Sequence, residues 1–248
     1  MNGEPLQSPL ISEQATQQSR EYWEAHYRSL FARGPTWLDY SNERVQLTTF
    51  GLCLDASGGL AQKDCLDPGC GRGQFARLLA TAGARVTAVD LLEEVLAEQR
   101  ALLPEITWRA GNLLDSEFVE ALGVFDRVFL LEVLQCVPWR QLLAAAWDHV
   151  RPGGRLVAMV PCGDCPIVQR VIARHAGVFS APTHAELSAA LSQLPDNEDW
   201  RSRGLTFASD QSLAPYLVSS WTQEPDGASP PNRLQFVVQK RSVQGQAE

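Results

Sequence analysis

The chain contains the stretch Cys65-Leu66-Asp67-Pro68-Gly69-Cys70-Gly71-Arg72-Gly73-Gln74-Phe75, in which a short apolar strand is followed by an acid and three alternating glycines. An amphipathic run begins at Phe75. Glycine lets the backbone take positive φ and lets a ligand approach without a Cβ in the way. The first turn of a helix presents free N–H groups. The stretch therefore predicts a strand, a tight turn and a helix start, with a ligand at the turn; a turn without a ligand is the alternative.

The spacing of the glycines distinguishes two classes of cofactor. A dinucleotide site has the pattern G-x-G-x-x-G, whose third glycine would fall here at Gln74. The third glycine instead comes one residue earlier, at Gly73. Asp67 would repel a pyrophosphate, and it suits a cationic ligand such as one with an ammonium group. The turn therefore favours a cationic ligand over a dinucleotide.

The run from Asp67 to Gly73 fits the pattern acidic-x-G-x-G-x-G, the first motif of the class I S-adenosylmethionine (SAM)-dependent methyltransferases, which the chain resembles at this point. By motif order the resemblance covers residues ~65 to ~160. It implies SAM as the cofactor and S-adenosylhomocysteine as the product. It also implies cofactor contacts from the residues of the turn, Asp67, Gly69, Cys70, Gly71 and Gly73.

A second acid follows the next predicted strand, Arg85-Val86-Thr87-Ala88-Val89-Asp90. Asp90 lies 21 residues after Gly69, where a carboxylate at the tip of the neighbouring strand can accept both hydroxyls of a ribose. We expect Leu91 to lie against the adenine face. This feature does not separate SAM from a nicotinamide dinucleotide, because both carry a ribose.

The third predicted strand and its exit run from Ile106 to Leu113. The resembled family usually has an acid after this strand that binds the adenine amino group, and here Asn112 takes that position. An amide oxygen can accept the same hydrogen bond. We therefore expect Asn112 and Leu113 to contact the cofactor; a plain Gly-Asn turn is an equally weighted alternative.

The fourth predicted strand, Phe125 to Glu132, is apolar enough to be buried on both faces. We expect Glu132, at its end, to contact the cofactor. Cys136 stands where many small-molecule members of the resembled family carry a histidine. A helix over residues 142–150 then leads through Arg151-Pro152-Gly153-Gly154 into a fifth strand, and this turn is another mark of the family.

The N-terminal 56 residues are predicted to form a helical cap over the cofactor, as the resemblance implies. The spacing of Tyr22, Trp23 and Tyr27 is helical, and a second helix is predicted from an N-cap at Ser41. Aromatic faces attract a sulfonium cation, so Tyr27 is predicted to bind the cofactor, with Tyr22, Trp23, Trp37 and Tyr40 as further wall residues. Packing of these rings onto the domain is the alternative.

The segment after the fifth strand, Pro161 to Asp199, should lie beside the transferred methyl group, because ligands bind at the carboxyl ends of the strands. His175 and His184 fall here, and either could accept a proton from the acceptor. A surface or structural role is the alternative for both. The pair Cys162 and Cys165 has no second pair of ligands, so neither a metal site nor a redox role is expected.

The whole chain, residues 1–248, is predicted to be one α/β domain, with a cap at 1–56, a cofactor-binding half at 60–160, and substrate-side helices and C-terminal strands at 161–248. The resemblance implies a doubly wound, mostly parallel sheet of seven strands with helices on both faces. The last strand, Leu234 to Val238, is expected to be antiparallel. The sixth is placed either at residues 205–207 or within 216–221.

Composition narrows the choice of partners. The net charge is −8 with 21 lysines and arginines and no basic run, which argues against nucleic acid. No apolar segment approaches the ~18–20 residues of a membrane span, and no signal peptide is recognised, so a cytoplasmic location is expected. We predict in-line methyl transfer to the oxygen, nitrogen, carbon or sulfur of a small metabolite. An NAD-dependent oxidoreductase and a non-catalytic SAM-binding regulator remain alternatives, and the oligomeric state is open.

Overall fold

The computed structural model describes residues 17, 20–22, 24–25, 29, 43–207, 216–223 and 230–242. The strands are β1 Asp64–Pro68, β2 Arg85–Asp90, β3 Thr107–Ala110, β4 Phe125–Leu131, β5 Val150–Pro161, β6 Asn197–Phe207, β7 Tyr216–Val218 and β8 Arg233–Lys240. The helices are α1 Glu43–Ser57, α2 Gln74–Thr81, α3 Glu93–Leu102, α4 Ser116–Glu120, α5 Trp139–Asp148, α6 Pro166–Arg174 and α7 His184–Ser192, with a 3-10 turn at Leu134–Cys136. No helix of this described part is long and apolar enough to cross a membrane.

The strands form one sheet in the order β3-β2-β1-β4-β5-β8-β6-β7. The first five strands of the chain are parallel, and β8 runs antiparallel between β5 and β6. The predicted doubly wound sheet of seven strands with an antiparallel last strand is confirmed, and the short β7 adds an eighth strand at the edge. Both predicted positions for the sixth strand are extended, one as the end of β6 and the other as β7.

Helices cover both faces of the sheet, each with its own apolar core. On one face α5 and α7 pack Trp147 and Leu191 against strand residues such as Phe236. On the other face Phe50 of α1 and Phe75 of α2 pack in series with Phe129 of β4, with ring centroids 5.1 Å apart in both pairs. The second predicted helix of the cap is therefore α1, which lies on this second face.

The register of the parallel strands brings their carboxyl ends to one edge of the sheet. Pro68 at the end of β1 pairs with Val89, and Asp90 pairs with Ala110 at the end of β3. Leu131 at the end of β4 pairs with Met159 of β5. A ligand of such a sheet binds outside these carboxyl ends, so the loops that follow β1 to β5 define where the site can be.

Candidate active site

The glycine turn after β1 has the backbone that the sequence predicts. Gly69, Gly71 and Gly73 all take positive φ, at 73°, 52° and 71°. A Cβ on Gly69 would overlap Val133 after β4, and a Cβ on Gly73 would overlap the ring of Trp108 on β3. The early third glycine therefore has a tertiary reason as well as a local one, because the turn is pressed between two neighbouring strands.

Asp90 fastens this turn to the end of β2. Its carboxylate accepts a hydrogen bond from the backbone N–H of Gly71 at 2.9 Å and from that of Leu92 at 3.1 Å. The sequence predicted a ribose contact for Asp90 and gave no sign of this structural task. Each carboxylate oxygen can accept a further hydrogen bond, so one side chain can hold the turn and also bind a ribose.

Asp67 is a buried carboxylate whose charge is only partly compensated. It is 3% exposed and accepts a hydrogen bond from the backbone of Ala76, while its Oδ2 has no hydrogen-bond partner in the described part of the chain. Burial, reinforced by the charge of Asp90, raises the pKa of Asp67 to about 7. An unpartnered buried carboxylate is costly, and a cationic ligand at this position would remove that cost.

A cleft of about 740 Å³, a volume that includes solvent at its opening, lies beside the turn. It collects six of the residues predicted to bind the cofactor: Gly69, Asp90, Leu91, Asn112, Leu113 and Glu132. Sequence reasoning did not assign its other lining residues to the cofactor site: Leu92, Gly111, Leu114, Val133, Cys136, Val137 and Leu142. Gly111 and Leu114 could have been found, because they lie in the same loop after β3 as Asn112. Val133, Val137 and Leu142, which follow β4, had no comparable sequence signal.

Asn112 lines the cleft and also forms a local turn. Its Oδ1 accepts a hydrogen bond from the backbone N–H of Leu114 at 3.0 Å, and its carbonyl accepts one from Asp115 at 3.0 Å. The side chain is thus held in a local loop, the alternative to a cofactor contact that was predicted for Asn112. The second lone pair of Oδ1 is the one that an adenine amino group could use, and that contact stays a prediction.

Glu132 directly follows β4 and has a left-handed backbone conformation with φ 53°, which is uncommon for a residue other than glycine. Its carboxylate accepts a 2.7 Å hydrogen bond from Arg233 Nε on β8 and a 3.2 Å one from Gln135 Nε2. The sequence predicted that Glu132 contacts the cofactor and did not indicate a basic partner. Cys136 lines the cleft nearby; burial raises the pKa of its thiol, which therefore stays protonated and is not a base.

Neither predicted catalytic histidine is among the described residues that line the cleft. The ring of His175 packs edge-on against Tyr22 and Phe179, with centroids 5.8 and 5.3 Å away. The ring of His184 contacts Ser202 Oγ at 3.0 Å and Ser188 Oγ at 3.4 Å. Burial lowers the pKa of His184, and the charge of Asp164 opposes that shift. These contacts match the structural alternative, and the catalytic assignment of both residues stays an untested prediction.

The remaining predicted residues are the cysteines and the N-terminal aromatic residues. All six cysteines are free and buried, and burial raises the pKa of Cys162 to about 11, which disfavours a reactive thiolate. No cluster of three or more metal-ligating side chains occurs within the described residues. Tyr27, with Trp23, Trp37, Tyr40 and Ser41, lies outside the described residues.

Residues 66–158 match a protein family described as a methyltransferase domain. That segment contains the glycine turn, Asp90 and every residue that lines the cleft. Over residues 66–158 the chain is therefore similar to methyltransferase domains. The matched segment thus contains the glycine turn and the cleft together.

Curated proteins similar to this chain include two named ubiquinone biosynthesis O-methyltransferases. The one from Aromatoleum aromaticum is 32% identical over 166 residues, which cover 63% of this chain and 62% of that relative. The one from Xylella fastidiosa strain M23 is 33% identical over 142 residues, which cover 54% and 52%. The chain therefore spans less than two thirds of the length of these relatives.

Solved methyltransferase structures share the fold at low identity. The magnesium protoporphyrin IX methyltransferase of Synechocystis PCC 6803, with S-adenosylhomocysteine bound, superposes with a TM-score of 0.63 at 18% identity, over 92% of this chain and all of that one. The 1,6-didemethyltoxoflavin-N1-methyltransferase of Burkholderia thailandensis gives 0.60 at 18%, over 96% and 94%. At such identities the likeness shows the fold alone.

The residues present fit SAM. Its ammonium group matches the unpartnered buried oxygen of Asp67, and its ribose hydroxyls match the carboxylate of Asp90, which lines the cleft. Its adenine matches the apolar part of the cleft at Leu91 and Leu113. The left-handed glycines leave no Cβ where the chain turns between these groups.

Proposed function

We propose that this protein transfers the methyl group of SAM to a hydroxyl oxygen of a small-molecule acceptor and releases S-adenosylhomocysteine. The observation that carries the proposal is the buried, unpartnered oxygen of Asp67 beside a turn of three left-handed glycines. A cationic cofactor satisfies this arrangement and a pyrophosphate does not. The names of the two O-methyltransferase relatives favour oxygen as the acceptor atom.

In this mechanism the residues of the chain bind the cofactor and orient the acceptor. Asp67, which is not among the residues that line the cleft, would hold the ammonium group through its orphan oxygen. In the cleft itself, Asp90 would hold the ribose, and Leu91, Asn112 and Leu113 the adenine. When bound, SAM supplies an electrophilic methyl group on a sulfonium sulfur. The apolar cleft wall at Val133, Cys136 and Val137 excludes water from one side of that group. Alignment of the acceptor accounts for much of the acceleration, and no histidine of the described part is placed in the cleft to act as a base.

Two alternatives come from other classes. An NAD-dependent oxidoreductase would need a pyrophosphate beside the Asp67 carboxylate, and the third glycine falls at Gly73 instead of position 74. A SAM-binding protein without transferase activity would share every cofactor contact named above. It differs only in lacking an acceptor site, so the acceptor decides between it and an enzyme.

Isothermal titration with SAM, S-adenosylhomocysteine and NAD tests the cofactor class. Binding of NAD without binding of SAM would overturn the proposal. Release of S-adenosylhomocysteine is then measured with catechol, 3,4-dihydroxybenzoate and caffeate as hydroxyl acceptors and with aniline and thiophenol as matched amine and thiol probes. Tight SAM binding without turnover on any of these small molecules would favour the non-catalytic alternative.

We also propose that residues 1–248 act as a single domain on a small metabolite, in the cytoplasm and without a nucleic-acid partner. The net charge of −8 supports this, because binding to phosphate backbones relies on clustered basic residues. Retention of the protein on heparin or DNA at low salt would contradict the last part of this proposal.

A further inference from the structure

Glu132 adopts a backbone conformation that its residue type disfavours. Its φ of 53° lies in the left-handed region, where a Cβ crowds the carbonyl oxygen. A 2.9 Å hydrogen bond from its N–H to the carbonyl of Met159 fixes the residue at the end of the sheet. Strain of this kind persists where surrounding contacts enforce it, and it clusters at functional sites. The strained backbone of Glu132 therefore indicates a functional role for its side chain.

The carboxylate of Glu132 is held from two directions. Arg233, 101 residues further along the chain, donates from Nε to Oε1 at 2.7 Å, and Gln135 donates from Nε2 to Oε2 at 3.2 Å. The side chain of Glu132 is 13% exposed and that of Arg233 is 28% exposed, so the pair is partly shielded from solvent. Two donors from separate elements fix the carboxylate as a preorganised group.

The fixed carboxylate lies in the wall of the cleft. Glu132 lines the cleft beside Val133 and Gly69. Gln135 is 8% exposed, and its Oε1 is buried without a hydrogen-bond partner in the described part of the chain. Buried acceptors are normally satisfied, so the orphan oxygen of Gln135, whose Nε2 contacts Glu132, indicates a donor that the described residues do not provide.

We propose that the Glu132 carboxylate binds a hydroxyl group of the methyl acceptor and that Arg233 is a positioning residue that holds the carboxylate for this contact. The inference rests on the proposed function. Arg233 already neutralises Glu132, so an ammonium ligand would gain little and an anionic ligand would meet the carboxylate. A neutral O–H donor fits the pair best, and the carboxylate retains lone pairs to accept it.

An acceptor contact and a cofactor contact of Glu132 would affect different binding constants. If Glu132 serves the acceptor, its loss changes the KM for the acceptor and leaves the affinity for SAM alone. If Arg233 acts through Glu132, its loss has little effect once the carboxylate is gone. A double-mutant cycle separates these cases, because residues that act as one unit are not additive.

The experiment uses Glu132→Gln, Arg233→Gln and the double variant of the full chain. The acceptor probe is whichever of catechol, 3,4-dihydroxybenzoate and caffeate gives the fastest S-adenosylhomocysteine release. We expect each single variant to raise the KM of that probe about tenfold, and the double variant to match the singles. We expect the Kd of SAM to change by less than about twofold. Titration of the same probe into protein saturated with S-adenosylhomocysteine should show the same loss without turnover, and the dimethoxy analogue of the probe should not discriminate wild type from variants.

Arg151→Gln is the matched control. Arg151 Nη1 forms a 2.8 Å ion pair with Asp126 Oδ1, with side chains 40% and 18% exposed, at the opposite edge of the sheet. Arg151 Nη2 also pairs with Asp64 Oδ2 at 3.3 Å, so its loss tests the general effect of breaking ion pairs, and we expect a lower Tm with an unchanged acceptor KM. Arg233→Lys keeps the charge without the Nε geometry and should recover only part of the wild-type KM.

Several outcomes would overturn the inference. A rise in the Kd of SAM in Glu132→Gln equal to the rise in acceptor KM would make Glu132 a cofactor ligand. Additive effects in the double variant would remove the positioning role of Arg233. Turnover of aniline or thiophenol with none of the hydroxyl probes would overturn the hydroxyl assignment while methyl transfer itself stood. Failure of SAM to bind the wild-type protein would instead overturn the proposed function.

Discussion

Asp67 and Asp90 place two buried carboxylates at the carboxyl ends of adjacent parallel strands, and the charge of Asp90 contributes to raising the pKa of Asp67 to about 7. Asp90 has backbone N–H partners on both oxygens, whereas Asp67 keeps one oxygen without a hydrogen-bond partner in the described residues. The two acids of the motif therefore have separate tasks. Asp90 holds the turn, and the unpartnered oxygen of Asp67 is the group that we propose for a cationic ligand.

The affinity for SAM should depend on pH through Asp67. An ammonium ligand favours the ionised carboxylate, and the pKa of about 7 in the free protein means that ionisation is incomplete below neutrality. We expect the Kd of SAM to rise about tenfold for each pH unit between about 6.5 and 5.5 and to level off above about 7. Isothermal titration across this range measures it.

Asp67→Asn is the control for that titration. An amide keeps the shape of the side chain and cannot ionise, so the variant should bind SAM about 10- to 100-fold more weakly at pH 7.5 and lose the pH dependence. A wild-type Kd that stays constant from pH 5.5 to 7.5 would contradict the assignment of Asp67 to the ammonium group.

The stability of the ligand-free protein should change with pH in the opposite sense. The pKa of Asp67 is about 7 in the folded chain and ordinarily 3.8, so between these values the folded state holds a proton that the unfolded state has lost. The free energy of unfolding contributed by this group therefore falls as pH rises from about 4 to about 7. Urea unfolding of wild type and Asp67→Asn at several pH values should show this slope in the wild type alone.

Gly73→Ala should be strongly destabilising, because a Cβ there meets both a left-handed φ of 71° and the ring of Trp108. Gly123→Ala is a matched control, since Gly123 has φ 81° and nothing within 4 Å of the added Cβ. We expect losses of about 2–5 kcal/mol for Gly73→Ala and about 1–2 kcal/mol for Gly123→Ala in urea unfolding. Equal losses would show that Trp108 does not crowd the turn.

Asp90→Asn should weaken the turn as well as the cofactor site. One carboxylate oxygen becomes an NH2 group that faces a backbone N–H of Gly71 or Leu92, so a hydrogen bond is lost. We expect the free energy of unfolding to fall by about 1–3 kcal/mol in the absence of any ligand, and SAM affinity to fall as well. Unchanged stability with reduced affinity would mean that Asp90 only binds ribose.

His184→Ala tests whether this histidine is structural. It removes the ring contacts to Ser202 and Ser188, and we expect a loss of about 1–3 kcal/mol in unfolding with kcat/KM within about twofold of wild type. The lowered pKa of His184 means that the folded state binds a proton less readily than the unfolded state does. The contribution of neutral His184 to the free energy of unfolding is therefore lost as the pH falls below the ordinary pKa of 6.5. A large loss of kcat at unchanged Tm would restore the catalytic reading.

The parts that could be predicted are those encoded by neighbours in the sequence. The glycine spacing after β1 set the turn, and β2 was predicted with its bounds, Arg85–Asp90. The start of α7 is local in the same sense, because Thr183 and Glu186, three residues apart, form a capping box there. Each of these depends on local backbone preference or on the period of apolar residues.

The histidines were the weakest prediction for a physical reason. His175 and His184 follow β5, which places them in the right segment of the chain, but the direction of a side chain depends on how its helix packs. The cap of α7 turns His184 toward Ser202 of β6, and the end of α6 turns His175 toward an aromatic pair. No sequence period carries that information.

The sequence by itself determined the class of the cofactor, because glycines at alternate positions and an acid two residues earlier act through backbone geometry and charge within one turn. Only the tertiary structure decided what surrounds that cofactor. Trp108 reaches Gly73 through the pairing of β3 with β2 and β1, and Arg233 reaches Glu132 because the antiparallel β8 pairs with β5. Contacts over such sequence distances depend on the order and register of the strands, which local preference does not specify.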